Sequence, residues 1–312
     1  MLTMTLEDFA YSFGTTIDDI PEESRVLINS KDFNYEIIEG SEKDKIILNI
    51  INRIESDQQI VGATERKDVW QKGWDENLQE FIVSDYDPEA LIPKFIRPGQ
   101  PMRFNREFIL SSNHMLELDF FRVFRIWLFK KYLNNIDSVY EFGCGTGFNL
   151  VELARLYPDK KLFGLDFVPA SRDLVNKLGK SYNLNLTGDL FDMINPNEEI
   201  HLYSNSAVMT FGSIEQLAGK FEYFLQYILK QAPAICINME PTIELYDENH
   251  LLDYLAIKFH KKRGYTIGYL PRLQQLEEEG KIEILKVKRL FFGSMFMEGF
   301  TYMVWRPREK VL

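Results

Sequence analysis

The fold of this chain is set by the stretch Val139-Tyr140-Glu141-Phe142-Gly143-Cys144-Gly145-Thr146-Gly147-Phe148. An apolar run breaks there into three alternate glycines, after which a helical pattern begins. This order is typical of a strand, a tight turn and the start of a helix. Glycines in the turn allow positive φ and let the backbone approach a bound ligand, which a Cβ would obstruct. The stretch therefore predicts a nucleotide-type binding turn.

Two acidic residues at the ends of short apolar runs extend this prediction. Lys161–Asp166 predicts a second strand, and its terminal Asp166 lies roughly 20 residues after the turn, where a doubly wound sheet places a ribose-binding carboxylate. Leu184–Asp189 predicts a third strand, whose terminal Asp189 suits the exocyclic amine of adenine. We therefore expect an adenosine ligand.

The spacing of the turn distinguishes between adenosine cofactors. Dinucleotide-binding turns have the spacing G-x-G-x-x-G, and the helix that follows points its N-terminus at a pyrophosphate. Here the spacing is Glu141-x-Gly143-x-Gly145-x-Gly147, with an acid before the first glycine. A carboxylate at that position repels a pyrophosphate, whereas it tolerates a cationic amino acid and a sulfonium.

With these motifs the chain resembles the class I S-adenosylmethionine-dependent methyltransferases from about residue 111 onward. The resemblance implies S-adenosylmethionine as cofactor and S-adenosylhomocysteine as product. It places Glu141, Gly143 and Gly145 along the methionine part, Asp166 on the ribose hydroxyls and Phe167 beside the adenine. Asp189 and Leu190 would contact the adenine edge. The cofactor residues that the resemblance implies are Glu141, Phe142, Gly143, Cys144, Gly145, Asp166, Phe167, Asp189, Leu190 and Asn205.

Asn205 belongs to this set because we expect Ile200–Asn205 to be the fourth strand, whose end would lie under the methionine. Two alternatives to the resemblance remain. The domain could be a Rossmann-type unit for another adenosine ligand, or a fold of this class that no longer binds one.

Past the turn, strand-like runs alternate with helical patterns. This alternation predicts an α/β fold with a Rossmann-like seven-stranded sheet, parallel except for one antiparallel closing strand and flanked by helices. Ala234–Met239 is the expected fifth strand, and alternating residues at 282–287 and 300–304 predict the closing antiparallel hairpin. A helical insertion is expected at 243–263. Residues 111–312 would form this domain.

Residues 1–110 do not follow the alternating pattern, and we expect a mainly helical N-terminal substrate or lid region. Ser41–Asp44 is typical of a capping box, and Thr64 is expected to cap a second helix. The end of this region, Pro93–Phe104, contains three prolines, one glycine and two arginines, which disfavours a helix or a central strand.

The segment Pro93–Phe104 has two interpretations. It is either a linker between domains or an ordered lid over the cofactor, in which Arg103 or Arg97 pairs with the methionine carboxylate or with an anionic substrate. We expect the lid, with Arg103 close to the cofactor, because prolines reduce the entropy lost when a loop becomes ordered.

Composition limits the function classes. A hydrophobic content of 45% and a charged content of 27% are those of a globular protein, and the net charge of −11 argues against a nucleic-acid partner. No apolar run is long enough to span a bilayer and no signal-like start is present, so we expect a cytoplasmic protein without a membrane partner. Cys144 and Cys236 predict neither a disulfide nor a metal site. The sequence is compatible with a homodimer.

Catalytic candidates are expected on the loops after the fourth and fifth strands. Methyl transfer from a sulfonium needs an aligned acceptor, exclusion of water and, for a hydroxyl or ammonium, removal of a proton. The resemblance places Glu215 where many small-molecule methyltransferases have an acid before a histidine, although Gln216 replaces that histidine here. Glu240 and His250 are the preferred acid–base or substrate-orienting residues. Their structural alternatives are a helix cap and a surface residue.

We therefore expect a methyltransferase that acts on a small polar molecule, such as a sugar or a nucleotide-linked sugar hydroxyl. The alternative is a methyltransferase of a macromolecule, or a non-catalytic binding partner that uses this fold. A motif of the Asn-Pro-Pro-Tyr type, found in base and amide methyltransferases, does not follow the predicted fourth strand, where Asn205 precedes Ser206. This difference favours a small-molecule acceptor.

Overall fold

The computed structural model describes residues 1–61, 66–94 and 96–308. Most of the helices flank a large sheet or cover its edges. They are α1 (Leu6–Phe13), α2 (Glu22–Ser30), α3 (Gly40–Ser56), α4 (Arg66–Val83), α5 (Leu116–Tyr132), α6 (Phe148–Leu156), α7 (Pro169–Tyr182), α8 (Glu222–Gln231), α9 (Leu251–Arg263) and α10 (Tyr269–Glu278). In this part of the chain, no helix is both long and apolar enough to cross a membrane.

The strands form one large and one small sheet. They are β1 (Leu2–Thr3), β2 (Asn34–Ile37), β3 (Met102–Phe104), β4 (Glu107–Leu110), β5 (Ser138–Phe142), β6 (Lys161–Asp166), β7 (Leu186–Leu190), β8 (Ser206–Phe211), β9 (Ile235–Glu240), β10 (Ile282–Arg289), β11 (Phe292–Ser294) and β12 (Thr301–Pro307). The large sheet has seven strands in the order β10-β12-β9-β8-β5-β6-β7.

The large sheet confirms the predicted fold class. β5 to β9 pair in parallel, and β12 pairs antiparallel with both β9 and β10. β12 is therefore the one strand that runs against the others, and β10 and β12 form the predicted closing hairpin. The strand order reverses beside β5, so the ends of β5, β6 and β8 meet at one edge of the sheet. In doubly wound sheets such an edge carries the ligand site.

The fourth strand lies later in the chain than predicted. It is β8, Ser206–Phe211, and not Ile200–Asn205. β8 is paired on both sides, with β5 and β9, and a strand in that position needs apolar side chains on both faces. Ala207, Val208 and Met209 satisfy this requirement. Asn205 has a φ of 51° and ends the turn before the strand.

The N-terminal region is joined to the rest of the chain through the small sheet. Its order is β1-β2-β4-β3-β11, so β11 from the C-terminal half pairs with strands from residues 1–110. The prediction that Pro93–Phe104 contains no interior strand is wrong, because β3 lies between β4 and β11. Pro101 precedes β3, so its missing N–H is not needed by the ladder. Phe95 lies outside the described residues.

Two helix caps differ from expectation. α3 begins at Gly40 after Glu39, and no side chain caps it, so the capping box predicted at Ser41–Asp44 is wrong. Ser41 is already inside the first turn and cannot adopt the extended backbone of an N-cap. Thr64, the other predicted cap, lies outside the described residues. The insertion predicted at 243–263 ends in α9.

Candidate functional site

The glycine turn has the backbone that its sequence predicts. Gly143, Gly145 and Gly147 have φ values of 70°, 54° and 74°, in the left-handed region. The turn follows β5 directly, and α6 begins at Phe148 with Gly147 as its N-cap. The N–H of Gly143 donates to the carbonyl of Leu165 at 2.7 Å, which holds the turn against the end of β6.

Asp166 lies beside this turn at the end of β6. Its carboxylate accepts hydrogen bonds from the N–H of Gly145 at 3.0 Å and from that of Val168 at 3.2 Å. Burial raises the pKa of Asp166 to about 6, although these backbone donors oppose the shift. Asp189 and Leu190 end the neighbouring strand β7, in register with Leu165 and Asp166. The three strand ends that carry the predicted site are thus adjacent.

Glu141 lies beneath the turn, on β5, with only 1% of its surface exposed. Its Oε1 accepts a hydrogen bond from Asn149 Nδ2 at 2.6 Å. Its Oε2 is buried and has no hydrogen-bond partner among the residues that the structure describes. Burial raises the pKa of Glu141 to about 8, against the opposing effects of Asn149 and Arg125. An unpartnered buried carboxylate oxygen is costly unless a ligand donor reaches it.

Two residues of the turn direct their side chains away from this site. Phe142 packs edge-on against Phe191 and Phe224, with ring centroids 4.8 and 5.0 Å apart. Cys144 is buried with its Sγ 3.5 Å from Ser171 Oγ, on the α7 side of the turn. Because both side chains belong to the core, only the backbone of these residues is available for the predicted contact with a ligand.

Helix α4 covers the glycine turn, which sequence reasoning missed. A Cβ built on Gly145 would lie 2.8 Å from Trp74 Cζ2, so the indole ring lies directly on the turn. Trp74 is 9% exposed, stacks on Trp70 at 5.3 Å and belongs to a cluster with Phe167 and Val168. The cradle that three glycines form is therefore filled by a tryptophan from the N-terminal region.

Side-chain hydrogen bonds fasten α4 and the segment after it to the domain. Gln71 Oε1 accepts from the N–H of Ala170 at the start of α7, at 3.2 Å. Thr146, inside the glycine turn, donates its hydroxyl to the carbonyl of Leu91 at 2.6 Å. Asp166 is only 3% exposed under this cover. A ligand on Gly145 and Asp166 therefore has to displace α4.

Two predicted cofactor residues are not at this site. Asn205 is at the amino end of β8, the opposite edge of the sheet, where it donates to the carbonyl of Asn135 and to Asp137. The prediction failed because the fourth strand was placed too early. The segment that does follow β8 is Gly212–Ser213, and Ser213 donates its hydroxyl to the carbonyl of Phe142 at 2.9 Å.

Arg103 is fully buried in the small sheet and does not line a cofactor site. Its guanidinium donates to the carbonyls of Met295, Leu252 and Phe296 at 2.9, 2.6 and 3.0 Å. It thereby ties β3 to α9 and to the loop after β11. The lid prediction for Arg103 is wrong, because pairing with β4 and β11 turns its side chain into the protein interior.

The structure brings together two of the three predicted catalytic residues, Glu215 and Glu240. Glu240 ends β9 and accepts from the N–H groups of Ser213, Ile214 and Glu215 at 3.1 to 3.2 Å. It therefore caps the short 3-10 helix Ile214–Leu217 that follows β8. Burial raises the pKa of Glu240 to about 7, and the three donors oppose the shift. Its oxygens are already used by the backbone.

The carboxylate of Glu215 accepts fewer hydrogen bonds than that of Glu240. Burial and the neighbouring Glu240 raise its pKa to about 8, while Arg263 and Arg66 oppose the shift. Among the residues that the structure describes, its Oε1 accepts from Gln216 Nε2 alone, at 2.8 Å, and Arg66 Nη2 approaches Gln216 Oε1 at 3.4 Å. Arg66 comes from the first turn of α4, so the helix that covers the glycine turn also reaches this acid. No pattern in the sequence indicated that contact.

His250 is not brought to these acids. It is the N-cap of α9, and its backbone bonds to Asp247 and Tyr254. Its Nδ1 is buried, with no partner in the described ranges. The catalytic role predicted for His250 therefore remains a prediction without a contact to Glu215 or Glu240.

The sequence matches no protein-family model and no curated protein. Solved structures do match. The [4+2]-cyclase SpnF is 12% identical over 80% of this chain and 98% of its own, with a TM-score of 0.50. A structure of PigF with SAH is 12% identical over 84% of this chain and 71% of its own, with a TM-score of 0.44.

A third match is an S-adenosylmethionine-dependent methyltransferase from Clostridium acetobutylicum ATCC 824. It is 10% identical over 58% of this chain and 89% of its own, with a TM-score of 0.41. At such identities a structural likeness concerns the fold. The likeness to SpnF, at a TM-score of 0.50, agrees with the strand order and the antiparallel β12, which show a Rossmann-like α/β fold with one antiparallel closing strand.

Proposed function

We propose that this protein is an S-adenosylmethionine-dependent methyltransferase that acts on a small polar molecule. The observation that carries the proposal is the glycine turn, in which three left-handed glycines lie between two buried carboxylates, Glu141 and Asp166. A turn with acids on both sides suits a ligand with an ammonium, a sulfonium and ribose hydroxyls. It does not suit a pyrophosphate.

The residues of the turn fit this cofactor in type and position. Glu141 Oε2 is a buried acceptor for an ammonium. The Cβ-free face of Gly145 would allow close approach of a ligand chain once Trp74 has moved away, whereas the Cβ-free face of Gly143 is filled by Ser213. Asp166 is an acceptor for ribose hydroxyls, and Phe167 offers a ring for adenine. When bound, the cofactor would supply an electrophilic methyl group on its sulfonium.

The proposal requires α4 to move away from the turn, because Trp74 lies on Gly145. Displacement of a buried tryptophan costs free energy, and the cofactor affinity is reduced by that cost. The movement also has a use in catalysis. A helix that closes again over a bound ligand would exclude water from the methyl group.

For the acceptor we propose a sugar-type hydroxyl, with Glu215 as the group that takes its proton. A general base works best when its pKa is near the working pH, and burial brings the pKa of Glu215 to about 8. Within the described ranges the carboxylate of Glu215 accepts from one donor, Gln216, whereas that of Glu240 accepts from three backbone N–H groups. We therefore propose that Glu215 removes the proton and that Glu240 positions the backbone of Glu215.

Calorimetric titration tests the cofactor. We expect S-adenosylmethionine and S-adenosylhomocysteine to bind in the micromolar range and NAD not to bind. Micromolar binding of NAD with none of the two sulfur ligands would refute the proposal.

Labelled methyl groups test the reaction. The protein is incubated with methyl-labelled S-adenosylmethionine and fractionated small metabolites, and mass spectrometry identifies the product. We expect a methylated small polar molecule, and Glu215→Gln should abolish its formation while cofactor binding persists. Transfer of label only to protein or RNA would favour a macromolecular acceptor, and binding without any transfer would favour a non-catalytic role.

A further inference from the structure

A series of buried hydrogen bonds connects α5 with the residue below the glycine turn. Arg125 Nη1 donates to Asn149 Oδ1 at 2.9 Å, and Asn149 Nδ2 donates to Glu141 Oε1 at 2.6 Å. Only one orientation of the Asn149 amide allows it to accept from a guanidinium and donate to a carboxylate. The donors and acceptors of this series of hydrogen bonds are therefore fixed, from Arg125 through Asn149 to Glu141.

This arrangement is expensive for a purely structural contact. Arg125 and Glu141 are each 1% exposed, and burying two charges costs several kcal/mol per ion unless they pair closely. Here the amide of Asn149 separates them. A bidentate Arg–Glu pair would use both carboxylate oxygens, whereas the amide of Asn149 contacts Oε1 and leaves Oε2 without a partner among the described residues.

Packing holds the guanidinium in place. Its central carbon lies 4.1 Å from the ring centroid of Phe148 and 4.8 Å from that of Phe121. Arg125 Nη1 also donates to the carbonyl of Phe148 at 3.2 Å, at the start of α6. The cation is thereby fixed on the same helix that carries Asn149.

We propose that Arg125 and Asn149 are positioning residues that hold the Glu141 carboxylate with one oxygen free for the ammonium group of the cofactor's amino-acid end. This inference rests on the proposed function. Neither residue needs to touch the cofactor. Without Asn149 the carboxylate loses the donor that orients it, and without Arg125 it loses the positive charge that favours its ionised form.

The charges around Glu141 determine the pH dependence that follows. Arg125 on α5 lowers the pKa of Glu141, whereas burial and Asp166 on β6 raise it, and the ionised form of the buried Cys144 thiol is in turn disfavoured by Glu141. Since burial brings the pKa of Glu141 to about 8, affinity for an ammonium ligand should rise as the pH rises toward 8. Asp166 affects any adenosine ligand, with or without the ammonium.

The test compares S-adenosylhomocysteine with its deamino analogue, in which hydrogen replaces the α-amino group, by calorimetry between pH 6 and 8.5. Asn149→Leu and Arg125→Met should each lower the affinity for S-adenosylhomocysteine about tenfold or more at pH 7.5. The affinity for the analogue should change less than about twofold. Arg125→Met should also move the rise in affinity to higher pH. Arg125→Lys keeps the charge and should restore most of the affinity.

Arg122→Met is the matched control, because Arg122 is on the same helix but its guanidinium pairs with the exposed Glu89 and with the buried Asp119. It should leave both affinities unchanged. Circular dichroism verifies folding, and if Arg125→Met does not fold, Asn149→Leu and Arg125→Lys carry the test. Equal weakening of both ligands with an unchanged pH profile would overturn the inference. Wild-type protein that binds neither ligand would instead overturn the proposed function.

Discussion

Replacement of Trp74 by alanine should increase the affinity for S-adenosylhomocysteine. The indole ring lies on Gly145 and is 9% exposed, so it occupies space that the ligand needs. A buried aromatic side chain removes roughly 200 Å² from water, which at about 25 cal/mol per Å² stabilises the closed position by at most about 5 kcal/mol. Trp74→Ala removes this contribution.

The gain in affinity cannot exceed the free energy that opening costs in the wild type. Because the other contacts of α4 remain, we expect a gain of about 1.4 kcal/mol or more, which is tenfold in the dissociation constant. The assay is calorimetric titration of wild type and Trp74→Ala at a temperature where both are folded. Val69→Ala, at an exposed position of the same helix, is the control and should have no effect.

Fluorescence gives a second measurement of the same movement. The chain has four tryptophans, of which Trp127 and Trp305 are buried elsewhere in the core. Titration of the wild type should shift the emission toward that of exposed indole, and Trp74→Ala should lose most of this shift. Equal or weaker ligand affinity in Trp74→Ala would refute the reasoning, because Trp74 would then not compete with the ligand.

Three further predictions concern binding and stability. Asp166→Asn should weaken the binding of S-adenosylhomocysteine by about 2–3 kcal/mol, because a charged acceptor for the ribose hydroxyls is lost. The fold should be kept, because the amide oxygen still accepts from the turn. If calorimetry gives an unchanged affinity, Asp166 does not bind the ribose. Burial lowers the pKa of His260 to about 4, below its ordinary value of 6.5, so the unfolded chain binds the extra proton between these values. Urea titrations should therefore show that the free energy of unfolding of the wild type, relative to that of His260→Asn, falls by about 3 kcal/mol between pH 7 and pH 4. A difference that stays constant with pH would contradict the lowered pKa of His260. Arg103→Met should lower the free energy of unfolding by about 3 kcal/mol, because three buried carbonyls lose their donor. The ligand affinity should not change. A loss of ligand binding without a loss of stability would indicate that Arg103 belongs to the ligand site.

The local parts of the fold were predictable from the sequence. The strand, glycine turn and helix at 139–148 and the closing hairpin follow from patterns that act over a few residues. Side-chain alternation sets which face of a strand is buried, and a left-handed turn needs glycine wherever it occurs. Asp166 was found for the same reason, since a strand end beside such a turn has a nearly constant place in this kind of sheet.

The fourth strand shows the limit of pattern reasoning. Ile200–Asn205 and Ser206–Phe211 are adjacent, and both contain apolar residues. Only pairing with β5 and β9 on both sides selects the second run, and pairing is a property of the assembled sheet. The error then moved Asn205 to the wrong edge of the sheet.

The remaining features depend on contacts between residues far apart in the chain. Arg103 is 192 residues from Met295, and Trp74 covers a glycine in another part of the sequence. Arg125, Asn149 and Glu141 come from three different elements and meet only when α5 and α6 pack on β5. Local sequence carries the backbone preferences that place the glycine turn. Which side chains cover that turn, or hold a charge beneath it, depends on how distant elements pack, because burial and distance exist only in the folded chain.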